Sequence, residues 1–302
     1  MKRMLTVGLA LLMTLFCAAA WADGSDNWLA GVLGTAASDG DKYVALLQIQ
    51  GEISESDYLY DHLGTLDAIS DLIDDEDNRA LVLYINTPGG NMYESDELYH
   101  ALTVYKQKTG RPIYGYMAQE CCSGGVLIAM AADELYASRM TITGNVGVYI
   151  TSTSEAGLYE KLGVEMEYIA TGKNKVSGYP SLTDEQRTIY QAMIDESFDF
   201  FKEAIASARG LSEEQMQPFE DGRLLSALQA KELGLIDGVM YYDELMDKLS
   251  AAYPEDTLKD ITPDGSYMSG DGESYMKWMN EIEKWLDDGK DAKSGKNVLR
   301  GI

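Results

Sequence analysis

An α/β fold, with a mostly parallel sheet flanked by helices, is the class this sequence predicts. Apolar strand-like runs alternate with helical segments from Tyr43 to Ala137. The run Ala80-Leu-Val-Leu-Tyr-Ile85 is apolar throughout, as expected of a strand covered on both faces. It ends in Asn86-Thr87-Pro88-Gly89-Gly90, a strong turn signal.

The elements follow in order. Tyr43 to Gln50 reads as a strand, Leu63 to Asp74 as a helix, and Ala80 to Ile85 as the second strand. A helix is expected from Met92 to Lys108, then a strand over Pro112 to Met117. The chain next reaches Glu120-Cys121-Cys122-Ser123-Gly124-Gly125, where a polar loop gives way to an apolar helix running to about Ala132. Glu134 to Ala137 and Thr141 to Val148 follow, then a helix ending at Tyr159 to Leu162 and a short strand over Glu165 to Ala170. Thr183-Asp-Glu-Gln186 is a capping box opening a long helix to about Ala208. Lys231 to Asp237 closes another helix before a strand at Gly238 to Tyr242.

The ends differ from this body. Lys2 and Arg3, the apolar run from Met4 and the small-residue site Ala20-Trp21-Ala22 make residues 1–22 a secretory signal, with an uncleaved anchor through residues 4–22 as the alternative. Residues 23–41 are Gly-, Ala-, Ser- and Asp-rich and read as a linker. The main folded domain is expected over 42–250. Residues 251–302 read as an acidic linker, an amphipathic helix carrying Tyr275, Met276, Trp278, Met279, Ile282, Trp285 and Leu286, and a flexible tail. The expected location is therefore extracytoplasmic, or periplasmic, with membrane association through the leader or the C-terminal helix as a further option.

A formal charge of −26 argues against binding nucleic acid or an anionic membrane surface through bulk electrostatics. Two histidines, His62 and His100, make no metal-ligand cluster, and no motif calls for a metal or cofactor. Cys121 and Cys122 are too few for a disulfide framework and read as small buried hydrophobes; a redox pair beside Ser123 is the sharper alternative.

Ser123 has two readings. It is either an ordinary helix N-cap or a hydroxyl exposed beside free backbone N–H groups that receive a developing oxyanion. A nucleophilic serine needs a base, and no histidine follows Ser123 anywhere in the chain. Lysine serves only when neutral, so its pKa of about 10.4 must fall by several units through desolvation.

A series of motifs, in order, then points to one family. These are Val44 to Ile53, Leu83 to Gly90, Cys122-Ser-Gly-Gly125, Ala132 to Ala137, Thr143-Gly-Asn-Val-Gly-Val148, Leu158 to Val164 running to Gly172-Lys-Asn-Lys175, Asp221-Gly-Arg223 and Glu232 to Asp237. Over about residues 43 to 245 the chain resembles the short signal peptide peptidases of the ClpP/crotonase superfamily. The resemblance implies repeated ββα units and a Ser–Lys dyad endopeptidase. Its substrates would be signal peptides or other short apolar peptides, cleaved through an acyl-enzyme. It places the nucleophile at Ser123 and the base at Lys175, with Lys173 a competitor. The oxyanion donors would be Gly124 and either Gly89 or Gly90. It further implies a homo-oligomer with active sites at subunit interfaces, where the lysine loop is buried.

The chain departs from the family at two places. Asn145 stands where relatives often carry a serine that holds the lysine amine; its amide can both accept and donate. Val126-Leu127 stands where relatives often have aromatics, which suggests a different pocket shape. The Asn145 departure motivates the competing expectation of a catalytically silent scaffold that binds peptides or partner proteins.

Overall fold

In the computed structural model, residues 42–263 are described, apart from Ser56 and Tyr58. The expected signal segment, linker and C-terminal amphipathic helix lie outside the described residues. Among those described, no helix is long and apolar enough to cross a membrane.

The sheet is built on three long central strands: β1 (Tyr43–Gln50), β2 (Asn78–Thr87) and β3 (Ile113–Cys122). They pair in parallel, with Leu47 opposite Leu83 and Leu83 opposite Gly115. Helix α1 (His62–Asp74) joins β1 to β2, and α2 (Met92–Thr109) joins β2 to β3. Local chemistry sets the helix ends. Asp61 caps α1 by accepting from the Gly64 N–H at 2.9 Å, and Asn91 caps α2 through the Tyr93 N–H at 2.8 Å.

Side chains alternate across each strand, so these apolar runs feed two cores. Ala45, Leu47 and Ile49 of β1, with Leu81, Leu83 and Ile85 of β2, face a large core that includes Leu98 and Leu102 of α2. Val44, Leu46 and Val82 face a smaller core closed by Leu245 and Leu249 of a later helix. Coverage on both faces explains the absence of polar alternation.

Beyond β3 comes the short helix α3 (Gly124–Ala129). Strands β4 (Glu134–Ala137) and β5 (Ile142–Gly144) then pair one after the other along the same edge of β3. An exposed stretch holds α4 (Ala156–Leu162) and leads to α5 (Asp184–Arg209), which opens with the expected Thr183–Gln186 capping box. A short α6 (Glu213–Met216) precedes β6 (Leu224–Ser226), which pairs antiparallel with β5. The chain continues through α7 (Ala227–Glu232), β7 (Gly238–Val239), α8 (Tyr242–Ala252) and β8 (Thr257–Asp260). The sheet order is β6-β5-β3-β2-β1-β8, with β4 on β3 and β7 on β4. The expected α/β class with a mostly parallel sheet flanked by helices is what the chain forms.

Three expectations are corrected. Glu165 to Ala170 is not a strand: the segment is exposed and no described strand pairs with it. Strand β7 stops at Val239, because Glu244 accepts from the Tyr241 N–H at 2.7 Å and starts α8 there. The sheet also runs past residue 250, since β8 pairs in parallel with the outer edge of β1.

Candidate active site

Strand β3 delivers Ser123 at its C-terminal end, and α3 begins at the next residue. A turn this abrupt forces Ser123 to φ 49°, ψ −120°. A positive φ is rare for a residue with a Cβ, and such strain costs about 1–3 kcal/mol. Neighbouring bonds hold it. The Ser123 N–H donates to the Gly144 carbonyl at 3.0 Å, and the Ser123 carbonyl accepts from the Val126 N–H at 2.8 Å. The side chain makes no capping hydrogen bond. Ser123 occupies the N-cap position without doing a cap's work, so the ordinary-cap reading fails and its hydroxyl is left facing a cleft of about 600 Å³.

The Pro88-Gly89-Gly90 turn lies directly against this residue. Gly89 has φ 100°, and a Cβ there would fall 2.8 Å from the Ser123 Cβ and 2.9 Å from the Gly124 nitrogen. Only glycine leaves that space open. The turn also separates its two candidate donors. The Gly89 N–H is taken by the Thr87 Oγ1 at 3.0 Å. Among the described residues nothing accepts from the Gly90 N–H or the Gly124 N–H, and both residues line the cleft. Gly124 heads a helix, where an N–H has no intrahelical acceptor.

Asn145 closes another side of the cleft. It has φ 52°, a left-handed conformation that asparagine tolerates better than most residues. Its backbone N–H donates to the Arg223 carbonyl at 2.8 Å, and its Nδ2 donates to the Gly222 carbonyl at 2.9 Å. With Nδ2 committed, Oδ1 remains as the acceptor. The Asp221-Gly-Arg223 motif thereby acquires a role: two of its carbonyls fix Asn145. An Arg223–Asp221 ion pair braces the turn and holds the Asp221 carboxyl below the usual carboxylate range.

Cys121 and Cys122 are free and buried beneath the turn. Burial pushes the Cys122 thiol up to about 11 and Cys121 well above its ordinary value. Thiols so resistant to ionisation suit small hydrophobes, not a redox pair. Val126 and Leu127 are both fully buried in the core and do not line the cleft, so they do not set its shape as their position suggested.

The model of peptidase family S49 matches residues 105–253. A provisionally named protease of Synechocystis sp. is 31% identical over 230 residues, covering 71% of this chain and 82% of the relative. The chain belongs to peptidase family S49. A protein of Enterococcus faecium, provisionally named signal peptide peptidase SppA, is 28% identical to this S49 chain over 254 residues, covering 81% of the chain and 72% of the relative. Among solved structures, a mutant of the 1510-N membrane-bound stomatin-specific protease is similar with a TM-score of 0.42 and 16% identity, over 69% of this chain and 85% of that one.

Ser123, Gly124, Gly89, Gly90 and Asn145 of the S49 chain thus meet around one cleft. Lys175 does not join them. It is exposed on the loop between α4 and α5, its N–H donating to the Gly172 carbonyl at 3.0 Å. Lys173, its competitor, is committed to an ion pair with Glu185 at 2.7 Å, whereas Lys175 makes none among the described residues. The surrounding arm exposes apolar side chains, including Tyr149, Leu162, Tyr168 and Ile169; Ile169 is fully exposed. Two residues that shape the site, Thr87 and Ser95, had no signal of their own. Thr87 appears only as part of the turn, and Ser95 as a small polar residue in a helix.

Proposed function

We propose that this S49 chain is an exported serine endopeptidase that uses Ser123 and Lys175 to cleave signal peptides or other short apolar peptides. The observation that carries the reading is the strained, uncapped Ser123 beside the N–H groups of Gly124 and Gly90, which have no acceptor among the described residues. The Ser123 Oγ attacks the scissile carbonyl carbon while the neutral Lys175 amine takes the hydroxyl proton. The oxyanion accepts from the Gly124 and Gly90 N–H groups. The C–N bond then breaks, the leaving amine takes the proton back from Lys175, and an acyl-enzyme remains. Water attacks that ester with Lys175 again as base, which releases Ser123. Asn145 Oδ1 accepts from the lysine amine and orients it.

The base comes from a second copy of the chain. A lysine amine is basic only when neutral, and removal from water favours that form. The exposed apolar arm around Lys175 supports packing of this loop against a neighbour. The basic n-region, apolar run and Ala20-Trp21-Ala22 site support export.

The test is labelling by a serine-directed phosphonate together with cleavage of a fluorogenic apolar peptide by the assembled protein. Ser123→Ala abolishes both. Lys175→Ala abolishes cleavage and leaves the assembly intact in sedimentation. Normal turnover by pure Ser123→Ala refutes the assignment. A wild-type assembly that neither labels nor cleaves is instead the catalytically silent peptide-binding scaffold.

A further inference from the structure

The two proposed oxyanion donors belong to different elements: Gly90 to the turn after β2, and Gly124 to the start of α3. Their separation therefore depends on whatever touches both. Ser95, in the first turns of α2, is fully buried in the protein and lines the floor of the cleft. Its Oγ donates to the Asn91 carbonyl at 2.7 Å, and its N–H donates to the same carbonyl at 3.1 Å. Asn91 follows Gly90 directly, and its own N–H donates to the Ile53 carbonyl at 2.8 Å. The Ile53 N–H in turn donates to the Gly89 carbonyl at 2.9 Å. The turn is thus clamped by Ile53 on one side and by Ser95 on the other.

The same Ser95 Oγ abuts the second donor. A Cβ on Gly124 would lie 2.2 Å from Ser95 Oγ and 3.0 Å from Ser95 Cβ. The hydroxyl fills the gap between α2 and the Gly124 backbone while bonding the carbonyl next to Gly90. We infer that Ser95 is a positioning residue that sets the spacing of the Gly90 and Gly124 N–H groups. The inference rests on the reading of Ser123 as nucleophile. Alanine at 95 removes both the donor and the spacer.

The experiment uses the full-length assembled enzyme and steady-state cleavage of an apolar peptide. Ser95→Ala lowers kcat about tenfold with KM within about twofold, because only the transition state uses the donors. Inhibition by a peptide aldehyde, which forms an oxyanion on Ser123, weakens by the same factor, while a non-covalent peptide ligand binds as before. A merely structural role would move the melting temperature and KM without separating these ligands. A second pair of variants needs no intact Ser95 hydroxyl. Gly124→Ala loses about 100-fold in kcat, and adding Ser95→Gly, which removes both clashing atoms, recovers about tenfold of it. Unchanged kcat in Ser95→Ala, or no recovery in the double variant, overturns the inference. If wild type cleaves and Ser123→Ala does not, that failure is Ser95's alone. If wild type neither labels nor cleaves, the catalytic reading fails and the Ser95 inference with it.

Discussion

Replacing Gly89 with alanine puts a methyl group where the oxyanion is expected to sit. The added Cβ would lie 2.8 Å from the Cys122 carbonyl oxygen, 2.8 Å from the Ser123 Cβ and 2.9 Å from the Gly124 nitrogen. These approaches are shorter than ordinary van der Waals contact, and two of the atoms are backbone. At φ 100° the substitution also adds strain of about 1–3 kcal/mol. Two effects follow, and they separate in measurement. The strain and contacts lower thermal stability by a few degrees. The methyl also blocks the approach of an oxyanion to the Gly124 N–H. Losing one such donor costs about 3–4 kcal/mol, or roughly 10²–10³ in kcat. The assay is steady-state cleavage of an apolar peptide, with a melting curve on the same sample. A Gly89→Ala enzyme that melts lower but keeps kcat within about threefold of wild type refutes the placement of the oxyanion between the turn and α3.

Two further outcomes are expected. Ile169→Asp puts a charge on the exposed arm beside the lysine loop; it dissociates the assembly in sedimentation and makes cleavage depend steeply on protein concentration, and an active monomer would refute delivery of Lys175 by a neighbour. Asp75 accepts from the Tyr43 hydroxyl at 2.6 Å, which holds its carboxyl below the ordinary value. Its contribution is complete above about pH 4 and is lost as pH falls through the lower folded value, so Tyr43→Phe flattens that part of the acid-melting curve. An unchanged acid limb would show that the bond contributes nothing.

The strands and helices of the body were legible because their signals are local. A continuously apolar strand, an Asn or Thr cap and a capping box act within a few residues, and β1, β2, α1, α2 and α5 lie close to where such signals place them. The misreadings share a cause. Glu165 to Ala170 has the composition of a strand, but a strand needs a partner, and no described strand pairs with it. Thr257 to Asp260 carries little strand signal; it joins the sheet because the outer edge of β1 is open to it. Val126 and Leu127 adjoin the Ser123 turn in sequence, yet the helical period turns them into the core.

By itself the sequence determined the α/β class, the motif series that points to the S49 family, and the residue types from which a Ser–Lys site is proposed. It left Ser123 balanced between helix cap and nucleophile, since either role suits a serine before two glycines. Tertiary structure decided against the cap, because the strand-to-helix junction forces a backbone conformation in which the hydroxyl satisfies no N–H. It also separated Gly89, whose N–H Thr87 takes, from Gly90, whose N–H has no acceptor among the described residues. The strand-to-helix junction and the contact of Gly89 with Ser123 bring together segments far apart in the chain. They exist only once β2, β3 and α2 are packed together.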